Sequence, residues 1–186
     1  MYKESLLKQY LDDLAAKMPA PGGGSAAAMS AAMGASLVSM VINFTLGKPR
    51  YAAFEEELVE LLDKSEKLRR ECLDLVDRDI IAYQSKNMRD ALDIPFMLAR
   101  LSFEGMKLCP PLIEKGNVNL ISDVAVAAIF FESAYHSALF NVKINLKTLG
   151  DEKLSRSILK ELNDKSRKIK KLRKGTEERV GKIIGR

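Results

Sequence analysis

Three groups of residues in this chain have the types and spacing needed for chemistry. The first is the turn Pro19-Ala20-Pro21-Gly22-Gly23-Gly24-Ser25. Its consecutive glycines open backbone dihedrals closed to other residues and let another group approach the main chain closely. Ser25 stands where the N-cap of the following helix is expected, with its hydroxyl free for the first unpaired amides. Such a turn, feeding the positive end of a helix, can seat an anion or a polar heterocycle, or it can be a plain flexible connection. The second group is Asp79. It falls on a stripe of Leu61, Ser65, Leu68, Cys72, Leu75 and Ala82 at three- and four-residue steps, whereas Asp74 and Asp77 point elsewhere. A carboxyl on an apolar face is driven toward its protonated form by desolvation, which suits proton transfer. The alternative is a structural Asp satisfied by a backbone amide or an arginine. The third group is Asn141 and Asn145, one turn apart on the face of Ala134 and Ala138. They could read the hydrogen-bonding edge of a heterocycle or simply tie helix to helix.

The elements that must position these residues read as helices throughout. Periodicity and punctuation predict helices near 3–17, 25–46, 50–87, 90–108, 119–149 and 151–183. Breaks are expected at Pro19/Pro21, Gly47-Lys48-Pro49, Pro95, Pro110-Pro111, Gly116-Asn117 and Gly150. No run alternates long enough to demand a sheet. The expected fold is one all-α domain over residues 1–186, a multi-helix bundle. From Ala26 to Leu46 no residue is charged. Small residues dominate there, and Leu, Ile and Val are few, so a buried central helix is expected and not a membrane span. The helix over 119–149 is also apolar on more than one side. Two helices that need covering all round strain a chain of 186 residues, and self-association as a symmetric homodimer is the economical solution.

Composition narrows the function classes. One histidine, His136, and two isolated cysteines, Cys72 and Cys109, exclude the two-histidine metal motifs and leave no expected metal site. His136 reads as a satisfied core or interface residue. The cysteines read as buried filler in a reduced, cytoplasmic setting. The N-terminus is an ordinary amphipathic stretch, and no cleavable signal peptide is expected. Residues 151–186 carry 13 Lys/Arg against 6 Asp/Glu, a local +7, which leaves −2 for the rest of a chain whose net charge is +5. This basic segment could attract an anionic partner. No aromatic residue is interleaved with its charges, so no specific nucleic-acid binding is expected.

The string PAPGGGSAAAMSAAMGASLVSMVINFTLGK closely resembles the start of the cyclodeaminase/cyclohydrolase family of folate enzymes. Two further blocks follow in that family's order. One is Leu75-Val-Asp-Arg-Asp79-Ile-Ile-Ala82-Tyr83. The other runs Gly116-Asn-Val-Asn119-Leu-Ile-Ser122-Asp123 and then, after Ala128, Asn141-Val-Lys-Ile-Asn145-Leu. The resemblance covers nearly the whole chain. It implies an all-helical dimer acting on one-carbon units carried by tetrahydrofolate, with the folate as substrate and no cofactor. By position it makes Asp79 the catalytic carboxylate. Gly22, Gly23, Gly24, Ser25, Asn43, Lys48, Asn119, Ser122, Asp123, Asn141 and Asn145 become parts of the folate site. The activity implied is formimidoyltetrahydrofolate cyclodeaminase, which closes the ring to 5,10-methenyltetrahydrofolate and releases ammonia. The alternatives are methenyltetrahydrofolate cyclohydrolase and a non-catalytic dimer that binds folate or other anions. The chain departs from the family pattern between Tyr83 and Ile94-Pro95, where only QSKNMRDALD intervenes, and at Cys109-Pro110-Pro111.

Overall fold

The computed structural model describes residues 1–185, and every regular element among them is helical. Six α-helices follow in order: α1 (Leu7–Ala15), α2 (Gly23–Asn43), α3 (Glu55–Ser85), α4 (Met88–Lys115), α5 (Ile121–Leu149) and α6 (Glu152–Ile184). Short 3-10 turns occupy Tyr2–Glu4, Pro49–Phe54 and Val118–Leu120. The fold class is therefore as expected: all-α, built as a single bundle.

The small residues of α2 explain its place. Ala27, Ala28, Ala31, Ala35, Val38 and Ile42 are all buried, and their short side chains let α3 and α5 close on it from two sides. Two hydroxyls buried in the α2–α3 seam, Ser39 and Ser65, satisfy each other at 2.8 Å. α5 lies across α2 and α4, and α6 packs against α4 and α5. The end of α2 is tied to the start of α5 through Asn117. Its backbone amide donates to Thr45 Oγ1 at 2.8 Å, and its Nδ2 donates to the Phe44 carbonyl at 3.1 Å.

Connections follow from local chemistry. α3 ends at Lys86, which adopts the left-handed conformation with φ 55°, and Asn87 then caps α4 by accepting from the Arg89 and Asp90 amides. Gly150, at φ 74°, closes α5, and Asp151 caps α6 by accepting from the Leu154 amide at 2.9 Å. The breaks expected at Pro95 and Pro110-Pro111 do not occur, and α4 runs through all three prolines. A proline inside a helix frees the carbonyl four residues before it. For Pro95 that carbonyl belongs to Ala91, and Asn145 Nδ2 of α5 fills the vacancy at 2.6 Å.

The N-terminal expectation also needs correction. The helix near 3–17 is instead the Tyr2–Glu4 turn followed by α1, strapped onto α3 by Asp77. Asp77 does not idle on another face: it is 3% exposed and accepts from the Tyr2 amide at 2.6 Å and the Lys3 amide at 3.4 Å.

Two helices, α2 and the stretch Val118–Leu149, are long and apolar enough to cross a membrane by length and composition. Within the bundle, 61% of the apolar window of α2 is buried but only 39% of that around α5. Among the exposed apolar side chains, Val126, Ile129, Phe140 and Ile144 share one face of α5 by their spacing, and with Met33 of α2 they define the α2–α5 strip.

Candidate active site

The second residue of α2, Gly24, meets α3 at a closer distance than any side chain would allow. A Cβ placed on Gly24 would lie 2.1 Å from Asp79 Oδ1 and 2.6 Å from its Cγ. Glycine at this position is therefore what admits the carboxylate to the start of α2. Helix α2 begins at Gly23, with Gly22 as N-cap, so the amides of Gly23, Gly24 and Ser25 have no partner within the helix. Asp79 sits against this positive end. Burial raises its pKa above the ordinary carboxyl range, and the backbone N–H of Ser25 offsets part of that rise. Desolvation is the larger influence, so proton uptake by Asp79 is made easier.

Ser25 is not the N-cap that the sequence suggested. It is the third residue of the helix and fully buried, and its hydroxyl pairs with Tyr10 Oη at 3.2 Å. Tyr10 in turn meets the Tyr2 ring edge-on, with centroids 5.3 Å apart, and Tyr2 is held by Asp77 through its amide. The N-terminal strap thus leads from one α3 carboxylate to the turn that faces the other. Sequence reasoning missed Tyr10. Its only signal was an aromatic residue on the buried face of a short amphipathic helix.

Around Asp79 lies a cleft of about 310 Å³. Gly22, Gly23 and Gly24 form one wall, Ala82 and Tyr83 of α3 another, and Asn141, Ile144 and Asn145 of α5 a third. Both asparagines spend an amide N–H on the protein: Asn141 Nδ2 donates to the Ser137 carbonyl at 3.0 Å, and Asn145 Nδ2 to Ala91 as above. Their side-chain carbonyl oxygens are left as acceptors without a donor among the described residues. The cleft can therefore supply a proton-exchanging carboxyl, helix amides and two amide acceptors around a polar heterocycle. A larger depression of about 530 Å³ lies over Lys3, Arg70, Asp74 and Arg78. Of its three carboxylates, Glu4 is exposed, Glu71 is paired to Lys67 at 3.9 Å and Asp74 to Lys3 at 2.8 Å. None is a desolvated carboxyl free of an ion pair, as Asp79 is among the described residues.

Six sequence-predicted residues do not line this cleft: Ser25, buried behind the glycine wall, and five that lie far from it. Asn43, Lys48, Asn119 and Ser122 are exposed, and Asp123 half-buried, at the other end of α2 and α5. Gly24 and Asn43 are nineteen residues apart on α2, as are Ser122 and Asn141 on α5. At about 1.5 Å per residue, each pair spans roughly 28 Å. Nor does any α6 residue line the cleft, so its basic segment does not reach the Asp79 site of its own chain. His136 is half-buried beside Glu132 and Lys170 on the α6 side.

Comparison with known proteins identifies the family and the fold. The family model of formiminotransferase-cyclodeaminase matches residues 6–86 and 84–164, two stretches that meet at the α3–α4 turn. Methenyltetrahydrofolate cyclohydrolase of Methylorubrum extorquens is 38% identical over 179 residues, covering 84% of this chain and 86% of that enzyme. Formimidoyltransferase-cyclodeaminase of Rattus norvegicus is 31% identical over 173 residues, covering 80% of this chain but only 32% of the longer rat protein. The crystal structure of formiminotetrahydrofolate cyclodeaminase from Thermotoga maritima superposes with a TM-score of 0.93 at 27% identity, over 99% of this chain and 100% of that one. The short link after Tyr83 therefore removes nothing from the fold.

Proposed function

The chain belongs to the formiminotransferase-cyclodeaminase family, and from that premise we propose that it is a cyclodeaminase acting on 5-formimidoyltetrahydrofolate, with Asp79 as the acid/base. One observation carries the assignment: a desolvated carboxyl held against the open start of α2, across the cleft from two amide acceptors. In this reading the formimidoyl group enters as its protonated amidinium. N10 of the folate attacks the amidinium carbon, and a C–N bond forms. Asp79 takes the proton from N10 and passes it to the former amidinium nitrogen. That nitrogen departs as ammonia, which leaves the 5,10-methenyl cation. Holding N10 and the amidinium carbon in line is the larger part of the task, and the Gly22–Gly24 turn with Asn141 and Asn145 serves it. Proton transfer by a placed carboxyl contributes about 10²–10⁴-fold. The steps call only for proton exchange, so we propose that no cofactor takes part, and we place the reaction in the cytoplasm.

A second reading rests on the 38% identity, across most of both chains, to a methenyltetrahydrofolate cyclohydrolase. The same carboxylate would then remove a proton from water as it attacks the cationic methenyl carbon. Purified protein given 5-formimidoyl- and 5,10-methenyltetrahydrofolate separately decides between them. A rise in methenyl absorbance in the first assay supports the deaminase, and an accelerated fall in the second supports the hydrolase. Silence in both, with folate bound, refutes both readings in favour of a binding protein.

We further propose that the working unit is a homodimer joined through the exposed α2–α5 strip. Met33 lies midway between Gly24 and Asn43, on the exposed side of α2. A two-fold axis near it would carry Asn43, Asn119 and Ser122 of a second copy toward the Asp79 cleft of the first, because an isologous interface superposes opposite ends of the same patch. The residues separated by about 28 Å in one chain would then share one site.

A further inference from the structure

The basic segment of α6 finds no use in the Asp79 cleft, but it borders a recess of its own between α4 and α6. This recess measures about 430 Å³, within the size range of small-ligand sites. Its floor is apolar: Phe103 and Pro110 from α4, and Leu172 from α6. Its rim is cationic. Lys168 and Lys171 line it without an ion-pair partner among the described residues, whereas the neighbouring Arg167 and Lys174 are paired to Asp164 and Glu178. Lys107 and Lys165, whose ammonium groups lie 5.5 and 5.7 Å from the centre of the Phe103 ring, do not line the recess and are ion-paired to Glu104 and Glu161. Arg179 of the rim is paired to Glu114, so the charge left over is that of Lys168 and Lys171.

Two further details belong to the recess. Gly175 lies inside the 33-residue α6, where glycine weakens a helix relative to alanine. Neither crowding nor a special φ requires it, since a Cβ there would meet nothing within 4 Å. What the absent side chain does is leave the recess open. Beside it Thr176, 2% exposed, also lines the recess, and its hydroxyl has no hydrogen-bond partner among the described residues. Along α4, Phe103 and Pro110 lie twelve and nineteen residues beyond Ala91 of the catalytic cleft, roughly 18 and 28 Å away.

We propose that this recess is a second binding site, separate from the Asp79 cleft, for a small amphipathic anion. Its aromatic or alkyl body rests on Phe103, Pro110 and Leu172, and its carboxylate- or sulfonate-type head lies between Lys168 and Lys171. The apolar floor alone would take any hydrophobe; the unpaired lysines select for negative charge, and their attraction weakens with salt.

The test is titration of the intact protein with 8-anilinonaphthalene-1-sulfonate, followed by its fluorescence, with decanoate as competitor. Saturable binding displaced by decanoate is expected. Gly175→Leu fills the recess while favouring the helix, and should weaken binding at least about tenfold, that is by 1.4 kcal/mol or more. The double variant Lys168→Gln/Lys171→Gln should weaken it similarly, while turnover at the Asp79 cleft stays unchanged in both variants. Absence of saturable binding overturns the proposal. So does binding that survives both variants, or that is lost in Phe140→Ser instead, since the dye then sits on the α2–α5 strip. Sensitivity to Gly175→Leu without sensitivity to the lysine pair also overturns it, because the site is then not an anion site.

Discussion

The approach of Gly24 to Asp79 sets up a sharp test in Gly24→Ala. The added methyl would start 2.1 Å from Asp79 Oδ1, and ordinary contact begins near 3.4 Å, so the carboxylate must retreat by about 1.3 Å. Asp79 is held within α3, almost two turns before its end at Ser85, so the retreat falls on its side-chain torsions and swings the carboxyl away from the turn. A misplacement of about 1 Å in a reacting constellation costs roughly 10²-fold in rate. The helix itself should not suffer, since alanine in place of glycine favours it by about 0.5–1 kcal/mol. The expected outcome is kcat reduced about a hundredfold in the methenyl absorbance assay, with the melting temperature within a few degrees of the parent. Gly23→Ala, whose Cβ meets nothing within 4 Å, should lose less than about tenfold. A folded Gly24→Ala protein with kcat within about threefold of the parent would refute the geometry assigned to Asp79.

Asp79→Asn should lower turnover by roughly 10²–10⁴-fold. It should also stabilise the fold at neutral pH: a carboxyl whose native pKa is raised loses stability as pH climbs from the unfolded pKa through the native one, and Asn does not titrate, so melts should show the variant's advantage growing from about pH 4 upward. Tyr10→Phe removes one hydrogen bond to Ser25, worth about 1 kcal/mol; kcat/KM should fall about five- to tenfold, and the Asp79 limb of its pH profile should move to higher pH as the Ser25 amide loosens. Asp77→Ala strands the Tyr2 and Lys3 amides and should cost about 1–3 kcal/mol in denaturant melts; an unchanged midpoint would mean the strap carries no stability. Mixing inactive Asp79→Asn and Asn119→Ala proteins after subunit exchange should restore about a quarter of parental activity if the site is shared between copies; no restoration, with mixed dimers present by mass spectrometry, would sink the composite site.

How far the sequence could be read depended on how local each cause was. The uncharged run Ala26–Leu46 and the capping residues around Gly150 state their roles within a few positions, so the bundle and its central helix were legible. Asp79 was legible for the same reason: its neighbours at three- and four-residue steps are apolar. Pro95 was not. That a proline ends a helix is a local rule, and the amide that sustains α4 past it comes from Asn145, fifty-four residues away. Asp77 looked idle because its partners are backbone amides of Tyr2 and Lys3, which no side-chain pattern reveals. Motif order says nothing of distance either. Asn119 and Ser122 stand in the same block as Asn141, yet the length of α5 separates the two groups.

The bond between Asn145 and Ala91 gives Pro95 influence over what the cleft displays. An asparagine can show a visitor its oxygen or its nitrogen, and here the nitrogen is engaged elsewhere because a proline one turn along α4 left a carbonyl vacant. Put an ordinary residue at 95, and the helix reclaims that carbonyl for itself. Asn145 is then free to turn over and offer hydrogens where it had offered lone pairs. The ligand preference of this wall is thus written partly in a residue that does not line it, and it could drift or be engineered from there with every lining side chain unchanged.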